Sequence, residues 1–134
     1  MTTRATGTFE TKVWEETPFA EIDGAGKLTR TSMTDAFQGG IEGEATVQYL
    51  MAYNADGSAS FVGLERVVGR VGDRSGSFVL QQSGSMADNK VTATWFVVPG
   101  SGTGDLRGLR GTGGYTWDGQ QGPAEPYTLD YDLE

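Results

Sequence analysis

The sequence predicts an all-β fold, an eight-stranded antiparallel β-barrel with little or no helix. Three observations predict it. Hydrophobic alternation runs with period two, not 3.6, along most of the chain. Pairs of residues that tolerate positive φ recur between the alternating stretches: Gly39-Gly40, Asp56-Gly57, Gly72-Asp73 and Asp88-Asn89. Glycine accounts for 21 of 134 residues, about twice its usual share of roughly 7%, which suits turns and bulges and disfavours a helix bundle.

The first expected strand, 2–15, sets Phe9, Val13 and Trp14 among threonines and charges. The second, 27–38, alternates around Leu28, Met33 and Phe37. Segments 46–53, 58–71, 75–86 and 90–98 are rich in Val, Phe, Tyr, Trp and Thr, residues that fit a pleated surface. The four turn pairs join strands two to six into a five-stranded meander. Segment 99–108 carries too much glycine for a strand and reads as a long connection, with one helical turn around 105–107. Strands 110–117 and 127–134 close the list, with a mobile loop expected at 119–126. Eight antiparallel strands with no helix to cover a face call for closure, which removes exposed edges. Length makes this one domain, 1–134. Such a barrel is either filled by side chains or holds one small ligand.

Composition narrows the chemistry. Cysteine and histidine are both absent, which removes disulfides, thiolate nucleophiles, zinc–thiolate sites and imidazole bases or ligands. Acid–base work falls to Asp, Glu, Tyr or Lys. A net charge of −8 argues against nucleic acid and anionic membrane as partners. No apolar stretch of about 20 residues occurs, and the N-terminus lacks a signal-peptide core. A cytoplasmic location is the expectation.

Two-residue turns would fix the register, and register assigns faces. Read this way, Met33, Phe37, Thr46, Gln48, Leu50, Phe61, Glu65, Phe78, Leu80, Gln82, Trp95 and Val97 share one face. Val47, Tyr49, Met51, Tyr53, Val62, Leu64, Arg66, Val79, Gln81, Phe96 and Val98 share the other. The first mixes aromatic walls with a few polar groups, as a ligand cavity does. The second carries much apolar surface for an exterior, which predicts a homo-oligomer, dimer to tetramer.

Glu65 is the candidate acid or base, since burial in an apolar strand would favour its neutral form. A structural ion pair beside Arg66 is the alternative. Gln48 and Gln82 would orient a carbonyl or epoxide oxygen, or merely satisfy each other. Leu50, Phe61, Phe78, Leu80, Trp95, Met33 and Phe37 would shape an apolar substrate, or simply fill the barrel. Segment 98–104 resembles an anion nest in composition but lacks the lysine of G-x-x-x-x-G-K-[ST], so a crossover is its expected role. Asp130, Asp132 and Glu134 alternate along one strand face and read as a solvated edge, a hard-metal site being the alternative. Asp118 and Glu125 read as loop acids that aid solubility. No cofactor and no metal are expected.

Four segments carry a resemblance to a known family: Phe61-Val62-Gly63-Leu64-Glu65-Arg66, Arg74-Ser75-Gly76-Ser77-Phe78-Val79-Leu80-Gln81, the glycine-rich run from Val98 to Gly111, and Leu129-Asp130-Tyr131-Asp132-Leu133. From Ala5 to the C-terminus the chain resembles a bacterial family of small proteins defined by a domain of unknown function. That family is placed with the allene oxide cyclase-like, calycin-type barrels. The resemblance implies an eight-stranded barrel and oligomerisation. By analogy it implies a protein that steers a reactive substrate without a cofactor. By the same resemblance, members of the family often carry histidine where this chain has Gln82; an imidazole role does not carry over to a glutamine, and Glu65 becomes the main candidate. The expected function is therefore a cofactor-free isomerase or cyclase acting on an apolar oxygenated small molecule. The alternatives are a carrier of a hydrophobic ligand, and a filled barrel acting through protein partners.

Overall fold

The structure, a computed structural model, describes residues 2–24, 26–118 and 125–133. Among these residues the chain forms nine strands and no helix: β1 (Thr3–Ile22), β2 (Gly26–Gly39), β3 (Ile41–Asn54), β4 (Ala59–Val71), β5 (Arg74–Ala87), β6 (Lys90–Val97), β7 (Thr103–Gly104), β8 (Arg110–Asp118) and β9 (Glu125–Asp132). Neighbours run β4-β3-β2-β1-β9-β8-β6-β5, and β4 pairs β5 to close an eight-stranded antiparallel barrel. The two-residue β7 adds to β5 at Gly76 and Ser77, beyond the reach of β6. No helix among the described residues is long and apolar enough to cross a membrane.

β1 runs seven residues further, to Ile22, than its alternation suggested. Bulges at Lys12 and Phe19 let it bend while it stays paired to β2. After the first bulge Trp14 comes opposite Met33 and reaches the cavity lining while staying half exposed, and Val13 is exposed. β9 pairs β1 only as far as Phe9, so from Glu10 onward β2 is its one neighbour among the described residues. Lys12, Glu15, Pro18 and Glu21 and the two bulges guard that edge against pairing with another chain.

Two turns behave as expected and two do not. Across Gly72-Asp73 and Asp88-Asn89, Glu65 opposes Leu80 and Gln82 opposes Trp95. Between β3 and β4, however, Ala55-Asp56-Gly57 form a three-residue loop. It is closed by Asn54 N to Ser58 O at 2.8 Å and Gly57 N to Asn54 O at 3.0 Å. Gly57, with φ of 90°, makes the extra residue easy to accommodate. Val47, not Gln48, therefore opposes Glu65. Between β2 and β3 a side chain from the far end of the sequence intervenes. The Tyr127 hydroxyl accepts from Ile41 N at 2.9 Å and lies 2.9 Å from Gln38 O and 3.1 Å from Ile41 O. Met33 consequently opposes Val47. Each slip is one residue; between β2 and β4 they add to two, which restores the facing, so β3 alone is turned over. Thr46, Gln48 and Leu50, expected inside, are exposed; Val47, Tyr49 and Met51, expected outside, are buried.

The interior is filled at the end that carries the β2–β3 and β4–β5 turns. Phe9 stacks on Phe37 with centroids 5.1 Å apart, and Tyr127 meets Phe37 edge-on at 5.3 Å. Trp95 donates its indole N–H to Thr128 O at 3.0 Å. The glycine-rich connection after β6 covers this end. Its expected helical turn is instead two successive turns, Leu106 N to Thr103 O and Leu109 N to Leu106 O. They drive Leu106 and Leu109 into the core with no more than 1% of either exposed. The expected loop at 119–126 falls mainly outside the described residues, and Glu125 and Pro126 already belong to β9.

Candidate functional site

At the opposite end, where the β3–β4 and β5–β6 turns lie, the side chains of the described residues stop short of filling the barrel. A cavity of about 70 Å³ remains, walled by Trp14, Met33, Tyr49, Met51, Phe61 and Met86, with Val91 and Tyr115. Thr11, Asp35 and Glu125 supply its polar wall. The space exceeds what one water needs but is well below the roughly 300 Å³ at which drug-sized pockets begin. A wider vestibule continues outward, sharing Thr11, Trp14, Met86, Val91 and Glu125 and adding Lys90 and Trp117. The cavity can enclose one end of a molecule whose remainder lies along the vestibule.

Beneath the cavity a polar network crosses the barrel. Gln82 donates from Nε2 to Glu65 Oε1 at 2.6 Å, and its Oε1 accepts from Tyr49 at 3.0 Å and Tyr115 at 3.2 Å. The two tyrosine hydroxyls lie 3.3 Å apart. Thr11 donates to Asp35 Oδ1 at 2.8 Å. Glu65 is 1% exposed, and its Oε2 is buried with no donor in reach. Its neighbour is the Asp35 carboxylate, an acceptor like itself, so the two can be bonded only through a proton.

Burial, and then the Asp35 carboxylate, raise Glu65 well above the usual carboxyl range, against the opposing hydrogen bond from Gln82. A proton on Glu65 turns an unpartnered oxygen into a donor to Asp35. Burial also pushes Glu125 up to about 7, with Asp35 adding to the shift. Burial raises Tyr49 and Tyr115, so both hydroxyls stay protonated as donors. No lysine or arginine lines the cavity. The ion pairs Arg4–Asp130, Lys12–Glu44 and Arg70–Glu42 all lie on the outer surface. Among the described residues no group of three or more carboxylates is gathered closely enough to hold a metal ion.

The residues expected at the site divide into three groups. Glu65 and Gln82 belong to the network, and Met33 and Phe61 to the cavity wall. Phe37, Phe78, Leu80 and Trp95 are packed into the filled part of the barrel. Gln48 and Leu50 face outward, beside Val62, Leu64 and Phe96 on a shallow outer depression. Glu65 makes no pair with Arg66, since successive strand residues point to opposite faces; Arg66 reaches Ser77 Oγ at 3.4 Å. Asp130 pairs with Arg4 at the surface, and Glu134 lies outside the described residues.

Asp35, Tyr49, Met51, Tyr115 and Glu125 were not among the expected site residues. Asp35 shares the parity of Met33 and Phe37, so strict period-two reading would have found it. Tyr49 and Met51 were lost to the register slip in β3. Glu125, read as a solubilising loop acid, opens β9 opposite Phe9 and turns into the cavity wall.

Comparison with known proteins places the chain in a family. A model of the DUF3224 family, described as a protein of unknown function, matches residues 5–131, and the chain belongs to this family. It is similar to a crystal structure of a protein with unknown function from the DUF3224 family of Shewanella oneidensis MR-1. The two share 34% identity and a TM-score of 0.81, over 100% of this chain and 98% of the other. No curated protein matches.

Proposed function

We propose that the barrel binds an apolar oxygenated small molecule at its open end and isomerises or cyclises it by moving a proton, without a cofactor. The observation that supports this is the buried Asp35–Glu65 pair, two facing carboxyls that can bond only through a proton, with Asp35 on the wall of an aromatic and thioether cavity and Glu65 behind it. Two carboxyl groups sharing one proton offer an acid and a base within one site. A substrate oxygen seated at Asp35 would take the proton, leaving both carboxyls ionised. Loss of a proton from a neighbouring carbon would then restore the pair. Glu65 is not on the wall, so Asp35 is the catalytic group and Glu65 the positioning residue that keeps the proton available. Gln82, braced by Tyr49 and Tyr115, holds Glu65 in place. The resemblance to allene oxide cyclase-like barrels points the same way, as an analogy of fold.

The test begins with protein from its own host, analysed by native mass spectrometry and solvent extraction for a bound apolar compound. Asp35→Asn should slow turnover of that compound by at least about 10²-fold, the usual contribution of a positioned acid or base. Infrared spectra at neutral pH should show a protonated carboxyl band that Glu65→Gln removes. Full turnover in Asp35→Asn would remove Asp35 from the mechanism, and a bound compound that the wild type leaves unconverted would leave the second reading, a carrier that holds its ligand unchanged. The small enclosed volume and the set-back position of Glu65 favour that alternative. It predicts that both variants alter affinity alone.

Homo-oligomerisation is part of the same proposal. The depression around Leu50, Val62, Leu64 and Phe96 is lined by no charged residue. On a chain of charge −8 it is a face where a second copy can approach without opposing carboxylates. Light scattering of wild type and Leu64→Lys tests it: a monomer in both would overturn it.

A further inference from the structure

We infer that the open-end cavity selects positive charge, and that its ligand class is a small organic cation of the alkylammonium type, or a substrate that becomes cationic there. The inference rests on reading this cavity as a ligand site.

Its walls are what a soft cation prefers. Tyr49 and Phe61 meet edge-on at 5.2 Å between centroids, and Trp14 and Tyr115 complete an aromatic enclosure with three methionine thioethers. Ring faces and polarizable sulfur attract a desolvated ammonium without the tight hydration a bare metal ion would demand. Asp35 and Glu125 add carboxyl oxygens to the same wall, and no basic side chain of the cavity answers them. Behind them Glu65 Oε2 has no donor of its own and meets Asp35 only through a proton. Uncompensated carboxyls at this depth can be satisfied by protons or by a cationic guest. The cavity has room for a guest, with a mouth that leads out past Trp14 and Trp117.

Such a preference also fits the proton chemistry proposed above. Protonation of a substrate oxygen creates positive charge at the floor of the cavity, and the same walls would stabilise it as it forms.

The experiment is calorimetric titration of the full chain at pH 8 with choline and, separately, with 3,3-dimethylbutan-1-ol, its uncharged carbon counterpart. Choline should bind at least about tenfold more tightly, the worth of a desolvated cation on aromatic faces. Asp35→Asn should bring the two within about twofold, and Glu125→Gln should reduce the ratio in part. Both replacements are near-isosteric, and circular dichroism checks that the barrel persists. Equal binding of the two probes, or a ratio unchanged in both variants, would overturn the inference; the latter would assign the preference to the general field of a chain of charge −8. Binding of the alcohol alone would overturn it while leaving the proposed function standing. Binding of neither would count against both.

Discussion

The two ends of the barrel are built from the same strands and do opposite things. At the plugged end, aromatic rings interlock and Leu106 and Leu109 seal the core, while Tyr127 and Trp95 have their polar atoms bonded to backbone. At the open end, two carboxyls, three thioethers and two tyrosines surround empty space, and the buried Glu65 Oε2 behind them has no donor among the described residues. Stability is concentrated where packing is complete. The capacity to bind is left where packing is incomplete and electrostatically unsatisfied. That division predicts that equivalent substitutions at the two ends will have unequal and sometimes opposite effects.

The largest effect is expected from emptying the plugged end. Phe37→Ala or Trp95→Ala should cost about 3–5 kcal/mol in denaturant unfolding, the sum of lost transfer and cavity terms. Met86→Ala, at the half-buried rim of a space already open, should cost only about 1 kcal/mol. Equal losses would erase the proposed asymmetry. Next, Tyr127→Phe removes the acceptor for Ile41 N–H and should cost about 1–3 kcal/mol by leaving a buried donor unpaired.

The open end should behave in the opposite sense as pH changes. Glu125 titrates near 7 when folded and near 4.5 when unfolded. Its folded form holds the proton more tightly, so its contribution is full below about pH 4.5 and is lost as pH rises through about 7. Glu65, raised by burial in the same direction, adds to the same trend. The groups facing Glu125 are Asp35, Glu65 and Tyr115 from inside, with Asp88 and Lys90 at the vestibule. Glu125→Gln should therefore flatten the fall in melting temperature between pH 5 and 8, and Glu65→Gln should raise it at pH 8. A wild-type melting temperature that climbs over this interval, with no change in either variant, would contradict the reading. Replacements that stabilise the fold while abolishing binding or turnover are the signature of a functional site held at a cost to stability. The smallest effect belongs to the outer face: Leu64→Lys should change stability by no more than about 0.5 kcal/mol and alter only the association of copies.

Much of this was legible in the linear chain. Alternation, turn pairs and glycine content pointed to the strands and to closure, because a period-two pattern with no helix to cover a sheet face has few other solutions. Glu65 and Gln82 were found inside because the two-residue turns at Gly72-Asp73 and Asp88-Asn89 obey local rules. The composition removed whole classes of chemistry outright: with no histidine and no cysteine, what remains is carboxyl, phenol and amine.

Tertiary structure decided the rest. One extra residue in the loop at Ala55-Asp56-Gly57, and a hydroxyl supplied by Tyr127 from more than eighty residues away, turned β3 over. They exchanged Gln48 and Leu50 for Val47, Tyr49 and Met51. Side-chain direction in a strand alternates with every residue, so an error of one in register inverts a whole face, and local sequence carries little that would correct it. The pairing of Asp35 with Glu65, and the entry of Glu125 into the cavity wall, depend on contacts between β2, β4 and β9. Nothing in their separation along the chain announces them; they exist only once the barrel closes.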